Sequence, residues 1–350
     1  MNNVVSVRPE RLSQFGSAAD CNFYLLTNDS FADSFRIDGA AEYLSARIVA
    51  LKESESFEET IIALPGPAHI LVASPARFFE SPDSDVLGPD RKLLAMACNS
   101  TPTTLAEVRH FMKVMEDTSA SEQDAFSERF FTLAEQADRL EYANPVTGTV
   151  ARLDHFADGL VWNQQAGSLE WGQQQIVPSG EISVLPVEIT DFNEQLYLPL
   201  EGEITLQGYP ILHSGTPSFS RTDQARIHAA LAAMEEHAIK ATVEGGHIVS
   251  LTAVEPGALP AVAMLESMFE VDSRYRKVWE IGHALNTSLR ILPGNHAMNE
   301  VYGGTAGCVH WGLGLTPFTQ YHLDIIAPQT VVRSAADPES ILLRGEATVA

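Results

Sequence analysis

The sequence predicts an α/β N-terminal domain followed by a mixed α+β C-terminal domain. The chain has 350 residues, and a single hydrophobic core stops growing beyond roughly 250–300 residues. Apolar runs typical of buried strands alternate with helical patterns up to about residue 150, whereas short β-like runs dominate the rest of the chain. We therefore expect two domains, 1–150 and 151–350.

Strand and helix patterns alternate in the N-terminal domain. Residues 68–79 and 92–100 are apolar runs of the kind found in buried strands. Residues 104–117 carry apolar side chains at helical spacing behind a threonine N-cap, and residues 124–142 repeat that spacing. This alternation is typical of an α/β domain with a central, largely parallel sheet.

The composition changes where the helical pattern stops. Asn144-Pro145 and Gly148 interrupt the pattern and mark the expected domain boundary. Beyond them, helical spacing returns only over residues 220–244 and 260–285, between short strand-like runs. A mixed α+β domain is the expected result.

Composition and charge exclude several classes of protein. Hydrophobic residues make up 45% of the chain and charged residues 19%, which is typical of a globular protein. The formal net charge of −24 repels nucleic acids and anionic membranes, so neither is expected as a partner. Apolar runs do not approach the ~20 residues that span a bilayer, and the first residues lack the apolar core of a signal peptide. The expected location is the cytoplasm.

The cysteines indicate neither a disulfide framework nor a cysteine metal site. Cys21, Cys98 and Cys308 are odd in number and widely spaced. They form neither the pattern of a disulfide-stapled domain nor a Cys-x-x-Cys metal motif.

The densest chemical signal is YHLDII at residues 321–326. His322 and Asp324 are two residues apart, so on a strand their side chains point to the same face. Ile325 and Ile326 indicate a buried strand, where an unpaired carboxylate is costly. An imidazole nitrogen and a carboxylate oxygen on one face can bind the same divalent metal ion.

Three further residues stand in contexts that suit a metal or catalytic site. His310 lies among small and apolar residues in GCVHWGLG, His283 lies in WEIGHALN, and Glu181 opens an apolar run after a turn. Each has an ordinary alternative, namely a hydrogen-bonded core histidine or an exposed acid. Weaker candidates for substrate binding or proton transfer are His155, Asp158, His213, His247, His296 and Glu300.

Five fragments together resemble a known family. PSGEISVLP, EGGHIVSL, WEIGHALN, EVYGGTAGCVHWGLG and YHLDII occur in this order between residues 145 and 330. They resemble the C-terminal domain of the aminopeptidase T family of metallopeptidases and of its relatives, the 2,5-dihydroxypyridine dioxygenases. The resemblance implies an aminopeptidase T-like fold and, because members self-associate, a homodimer.

The peptidase pattern is matched in part. Glu181, His310, His322 and Asp324 stand at positions that correspond to its metal site. The peptidases have a glutamate where this chain has His283, and their tyrosine seven residues beyond the motif histidine is replaced by Pro317. With the ancestral role kept, the resemblance implies that Glu181, His283, His310, His322 and Asp324 bind one or two Zn, Mn or Co ions.

The dioxygenase pattern is also matched in part. There the resemblance implies that His283, His322 and Asp324 bind one Fe(II) as a two-histidine, one-carboxylate triad, which leaves positions for O₂ and substrate. Glu181 and His310 have no clear counterparts in the dioxygenases, and one of them would then act as the acid–base group or as a partner that orients a ligand.

Three functions follow as hypotheses. The leading one is a mononuclear non-heme Fe(II)-dependent oxygenase that acts on an aromatic or peptide-derived small molecule. The second is an aminopeptidase-like metallohydrolase that uses Zn, Mn or Co. The third is a non-catalytic member of the same fold that binds a peptide.

Overall fold

The structure is a computed structural model that describes residues 4–186, 193, 195–286, 290–300, 308–315 and 318–345. It is a mixed α/β protein with several sheets. The chain divides into two compact units, Met1–Asp124 with Gln165–Gly180, and Ala125–Gln164 with Glu181–Ala350. The chain therefore passes between the units at three places, whereas the sequence predicted a single boundary near residue 150. That domains 1–150 and 151–350 fold separately stays a prediction.

The strands of the described part of the chain are, in order, β1 Val5–Val7, β2 Asn22–Asn28, β3 Phe35–Ile37, β4 Ser45–Leu51, β5 Ala68–Val72, β6 Arg91–Met96, β7 Leu140–Asn144, β8 Thr149–Leu153, β9 Leu160–Gln165, β10 Gln174–Val177, β11 Glu181–Pro186, β12 Leu200–Leu206, β13 Tyr209–Ser214, β14 Ile239–Glu244, β15 His247–Ala253, β16 Val278–Ala284, β17 Val309–Leu313, β18 Tyr321–Ala327, β19 Val331–Ser334 and β20 Ile341–Arg344.

The α-helices are α1 Phe57–Ala63, α2 Ser84–Leu87, α3 Leu105–Asp117, α4 Ala120–Gln136, α5 Arg221–Leu231, α6 Leu259–Val271 and α7 Ala297–Glu300. Within the described ranges, none of these helices has both the length and the apolar character needed to cross a membrane.

The first unit is built on a parallel sheet. Its five strands lie in the order β10–β6–β5–β2–β4, and each neighbouring pair is parallel. Side chains from the sheet, α1 and α2 form a buried apolar cluster on one face, with Phe57, Ile61 and Leu87 contributed by the helices. A short parallel pair, β1–β3, completes the unit's strands among the described residues.

The second unit contains two larger sheets. A six-stranded sheet has the order β13–β18–β17–β16–β11–β9, and a seven-stranded sheet has the order β15–β14–β12–β8–β7–β19–β20. In the six-stranded sheet the pairs from β13 through β11 are all antiparallel. This sheet positions the candidate site, because four of its strands carry the candidate side chains described below.

The helix predictions are confirmed in part. Residues 104–117 form α3, whose N-cap Thr104 exchanges hydrogen bonds with Glu107 in a capping box. The helix predicted over 124–142 ends at Gln136, and strand β7 follows. Residues 220–244 likewise form α5 and then, after a short 3₁₀ turn, strand β14.

The prediction of one helix over residues 260–285 is wrong. Helix α6 ends at Val271, and the Asp272 side chain then accepts a hydrogen bond from the amide of Arg274, which caps a new turn. The following VWEIGHA forms strand β16, since its β-branched and aromatic side chains pack better on a pleated sheet than on a helix.

Candidate metal centre

One face of the six-stranded sheet gathers the candidate residues, starting from the adjacent strands β18 and β17. His322 and Asp324 lie two residues apart on β18 and share this face. Asp324 pairs across the sheet with Gly312 of β17, and His310 is two residues away from Gly312. The predicted common face of His322 and Asp324 is therefore present, and His310 lies on it too.

The same row continues over β16 and β11. His310 pairs with Gly282 of β16, and Glu280 lies two residues before Gly282. Ala284, two residues beyond Gly282, pairs with Glu181 at the start of β11. Four strands thus contribute polar side chains to one continuous surface.

The distances bring these side chains together around two centres. Asp324 Oδ2 lies 2.9 Å from His322 Nε2, and Asp324 Oδ1 lies 3.7 Å from His310 Nε2. His310 Nε2 lies 3.8 Å from Glu181 Oε1. Glu280 Oε2 lies 3.8 Å from His322 Nε2. Ligand atoms of Glu181, Glu280 and His310 lie within 4.8 Å of one another, as do those of Glu280, His322 and Asp324.

The centre of the group is buried and lacks hydrogen bonds. Asp324 and His310 are fully buried. Both carboxylate oxygens of Asp324 and both ring nitrogens of His310 have no hydrogen bond of acceptable geometry to any described residue. Buried polar atoms are normally satisfied, because an unpaired one costs about 1–3 kcal/mol. Four such atoms beside further carboxylates fit a divalent metal site.

The electrostatics of β18 favour an ionised carboxylate. Burial lowers the pKa of His322, but the charges of Asp324 and Glu280 outweigh burial and raise it to about 9. Burial acts to raise the pKa of Asp324, yet the neighbouring His322 and His213 lower it well below its usual range. Asp324 is therefore ionised at neutral pH, as a metal ligand must be.

Two glycines make room for this arrangement. A Cβ atom on Gly282 would overlap the His310 ring, and a Cβ on Gly312 would lie 2.8 Å from Glu280 Cβ and 3.1 Å from Asp324 Oδ1. Any larger residue at either position would displace a candidate ligand.

His283 is not part of this group. It follows Gly282 on β16, so its side chain points to the opposite face of the sheet. Its Nδ1 donates to the carbonyl of Ile182 at 2.9 Å, so its Nε2, 3.0 Å from the Tyr142 hydroxyl, accepts from that group. The ring packs against Phe130 and Trp162. Burial lowers the pKa of His283 to about 3.

This placement argues against the triad of His283, His322 and Asp324, which stays a prediction. A strand alternates its side chains between two faces, and the triad requires His283 on the face that Gly282 occupies. Both nitrogens of His283 are already committed to protein groups. The ordinary alternative, a hydrogen-bonded core histidine, describes His283 in this structure.

Two residues of the group were missed or undervalued in the sequence. Glu280 belongs to both sets of ligand atoms, but the helix predicted over 260–285 concealed its alternation with Gly282. His213 was a weaker candidate. It pairs with His322 across β13 and β18, and its Nε2 lies 3.3 Å from Asp324 Oδ2. Glu280 and Gly282 are two residues apart, so a strand at this position would have placed Glu280 on the face of Gly282. That spacing was the signal available in the sequence.

The remaining weaker candidates lie elsewhere or outside the described residues. His155, His247 and His296 each contact a nearby backbone carbonyl, of Ala134, Gly245 and Pro293 respectively. Asp158 is exposed. The Glu300 side chain and Pro317, where the peptidase tyrosine is replaced, lie outside the described part of the chain.

Comparison with known proteins finds a likeness of fold. Neither a described protein family nor a curated protein sequence matches the chain. The structure is similar to 2,5-dihydroxypyridine dioxygenase from Pseudomonas putida KT2440, with a TM-score of 0.56 and 13% identity over 94% of this chain and 91% of that chain. It is also similar to wild-type AmpT, an aminopeptidase T, from Thermus thermophilus, with a TM-score of 0.46 and 13% identity over 92% of both chains.

The likeness to the dioxygenase agrees with the fold that the sequence resemblance implied. The ligand groups support a metal cofactor. At 13% identity the likeness does not distinguish a dioxygenase from a hydrolase.

Proposed function

We propose that this protein is a metal-dependent hydrolase whose site holds two neighbouring divalent ions, with Zn, Mn or Co as the candidate metals. The observation that carries this proposal is the position of Glu280, whose carboxylate belongs to both groups of ligand atoms. Asp324 is placed similarly, with one oxygen toward His310 and the other toward His322. Carboxylates between two cations are the usual feature of two-metal hydrolytic sites, where the ions lie about 3.5–4 Å apart.

Each remaining ligand belongs to one side of the centre. Glu181 and His310 would hold one ion, and His322 would hold the other. His322 Nδ1 lies 3.0 Å from the carbonyl of Gly314. Donation from Nδ1 to that carbonyl directs Nε2 toward the centre, where Nε2 would lose its proton on binding a metal ion.

The chemistry follows from charge and burial. When bound, a pair of divalent ions would lower the pKa of water and polarise the carbonyl group of the amide whose C–N bond is to be cleaved. The protein's part is to supply three carboxylates that offset much of the positive charge and two imidazoles whose orientation the sheet fixes. His213, beside Asp324, is placed to orient that carboxylate. We take the substrate class, a peptide or amide, from the sequence resemblance.

A dioxygenase is the second candidate. It is favoured by the TM-score of 0.56 and by His213, which with His322 and Asp324 supplies two histidines and one carboxylate on one face. A triad of these residues would suit Fe(II). It would leave Glu181, Glu280 and His310 without ligand roles, although their ligand atoms lie within 4.8 Å of one another. We therefore place it second.

Activity measured with defined metals separates the two functions. Metal-stripped protein is reconstituted with Zn²⁺, Mn²⁺, Co²⁺ or anaerobic Fe(II). Each form is then tested against a panel of aminoacyl p-nitroanilides, and O₂ uptake is recorded with 2,5-dihydroxypyridine and catechols. The chelated protein is the control.

We expect p-nitroaniline release with at least one of the first three metals and no substrate-dependent O₂ uptake. Uptake of O₂ by the Fe(II) form, without amide cleavage by any form, would contradict the hydrolase. The cytoplasmic location and the homodimer expected from the sequence stay predictions.

A further inference from the structure

A cavity lies at the carboxyl ends of the parallel strands in the first unit. Its volume is about 510 Å³, within the range of about 300–1,000 Å³ that is usual for small-molecule sites. The lining comes from the loops that follow β2, β4 and β5, and it includes Asn28, Asp29, Lys52, Glu53, Ser54 and Arg77. The cavity belongs to the first unit alone and shares no residue with the metal centre.

The topology places this cavity where parallel sheets bind ligands. The strand order β5–β2–β4 means that the chain leaves β2 toward β4 and then returns past β2 to β5. The sheet order reverses at β2, so the loop after β2 and the loop after β5 diverge. In open parallel sheets, ligands bind in the crevice that such a reversal opens at the carboxyl ends of the strands.

Asn28 in the lining of the cavity presents a hydrogen-bond donor. The Asn28 side chain is nearly buried, and its Oδ1 accepts from Ser74 Oγ at 3.2 Å and from the amide of Ala76 at 2.8 Å. Since these bonds fix Oδ1, the Nδ2 group remains to donate to a ligand. A preoriented amide donor suits a carboxylate oxygen.

The charges around the cavity balance. Lys52 and Arg77 are cationic, and Asp29 and Glu53 are anionic. None of the four makes an ion pair with another residue in the described part of the first unit. Arg77 is nevertheless held in place, since its Nη1 donates to the Glu55 carbonyl at 2.7 Å.

We propose that this cavity binds a small zwitterion, an amino acid or a dipeptide, independently of the metal centre. Asn28 Nδ2, Lys52 and Arg77 receive the carboxylate, and Asp29 and Glu53 receive the ammonium group. A simple anion would gain little electrostatic binding free energy in this cavity, because the lining has no net charge and the chain carries a net charge of −24. A zwitterion, in contrast, satisfies both signs of charge at once.

Calorimetric titration of the full-length protein tests the proposal. The probes are the twenty L-amino acids and L-alanyl-L-alanine, with inorganic phosphate and neutral N-acetylalaninamide for comparison. The variants are Lys52→Gln, Asp29→Asn and Asn28→Asp. In Asn28→Asp the Oδ1 acceptor is kept, but the donor becomes an anionic oxygen. Lys113→Gln, an exposed lysine of the same unit, is the matched control.

We expect saturable binding of at least one zwitterion, weakened about tenfold or more in each of the three variants, since each removes or reverses a charge-assisted hydrogen bond. Lys113→Gln should bind as the wild type does. Three results would overturn the proposal. These are no binding of any zwitterion, binding unchanged in Lys52→Gln and Asn28→Asp, or phosphate binding as tight as that of the best zwitterion.

Discussion

On one face of the six-stranded sheet both ring nitrogens of His283 have hydrogen-bond partners, whereas on the other face both ring nitrogens of His310 have none among the described residues. Both rings are fully buried, and their strands are neighbours. The sheet therefore separates a histidine that completes a core from one that requires a further ligand. Burial and a glycine neighbour are common to both, so only the partners of the ring distinguish them.

The largest difference between the faces should appear when a shared carboxylate is removed. Asp324→Ala and Glu280→Ala should each abolish stoichiometric metal binding, because each removes the carboxylate that lies between the two centres. Metal content by mass spectrometry after reconstitution measures this. Asp158→Ala, which removes an exposed acid of the same unit, should leave the metal content unchanged.

The folded state of these variants sharpens the prediction. In the metal-free protein, Asp324→Ala should unfold at a lower temperature than the wild type, since it leaves the partly buried His322 ring without the carboxylate that raises its pKa. A folded Asp324→Ala that still binds metal at the wild-type stoichiometry would contradict the assignment of Asp324 as a ligand.

A smaller change at a glycine should also disturb the site face. Gly282→Ala places a methyl group against the His310 ring, so we expect His310 to be displaced and metal affinity to fall by about tenfold or more. Gly257→Ala is a matched control, since its methyl group meets the ring of His237 away from the site. Equal metal affinity in the two variants would argue against His310 as a ligand.

The next effect in size concerns His213. Because its Nε2 lies 3.3 Å from Asp324 Oδ2, His213→Ala should weaken metal binding by about 10–100-fold, the usual cost of losing a residue that orients a ligand. His213→Gln, which keeps a donor, should recover part of that loss. Competition with a fluorescent chelator measures both affinities, and His155→Gln serves as the comparison. Complete loss of metal in both His213 variants would instead make His213 a ligand.

Substitution on the opposite face should leave metal binding intact. His283→Phe should retain the wild-type metal content but lower the free energy of unfolding by about 1–3 kcal/mol, because the Ile182 carbonyl and the Tyr142 hydroxyl lose their partner. Chemical denaturation gives the free energy of unfolding. Metal loss in folded His283→Phe would return His283 to the site.

The pH dependence of stability separates the faces further. The pKa of His283 is about 3 in the folded protein and about 6.5 in an unfolded chain. Between these values the unfolded state binds the extra proton, so wild-type stability falls as the pH drops from about 6.5 toward 3. Metal-free His283→Phe should lose less stability over that interval. An identical pH dependence would contradict the neutral buried state of His283.

Part of this site could be predicted from the sequence, because side chains two residues apart on a strand lie on the same face. His322 and Asp324 could be placed on one face because both stand within a single short apolar run. Glu280 could not, since the choice between helix and strand for 260–285 decides which face it occupies, and α6 and β16 adjoin without a strong break. The face on which His283 lies could not be predicted for the same reason. Its distance from His322 in the sequence does not indicate which face of the sheet its side chain occupies.

The fold was easier to predict than its division into units. Apolar runs revealed the strands β5 and β6 and the helix α3, whose local signals agree with their final environment. The return of residues 165–180 to the first unit depends on β10 pairing with β6, a contact between distant segments. Local periodicity carries no information on such a pairing.

The most direct measurement is a count of metal ions per chain by native mass spectrometry, on protein reconstituted with Zn²⁺ and with Mn²⁺. Two ions per chain in the wild type, and fewer than two in His310→Ala and in Glu280→Ala, are the results we predict. A single ion in the wild type, which is kept in both variants but lost in His322→Ala, would contradict the shared two-ion centre and favour the triad of His213, His322 and Asp324.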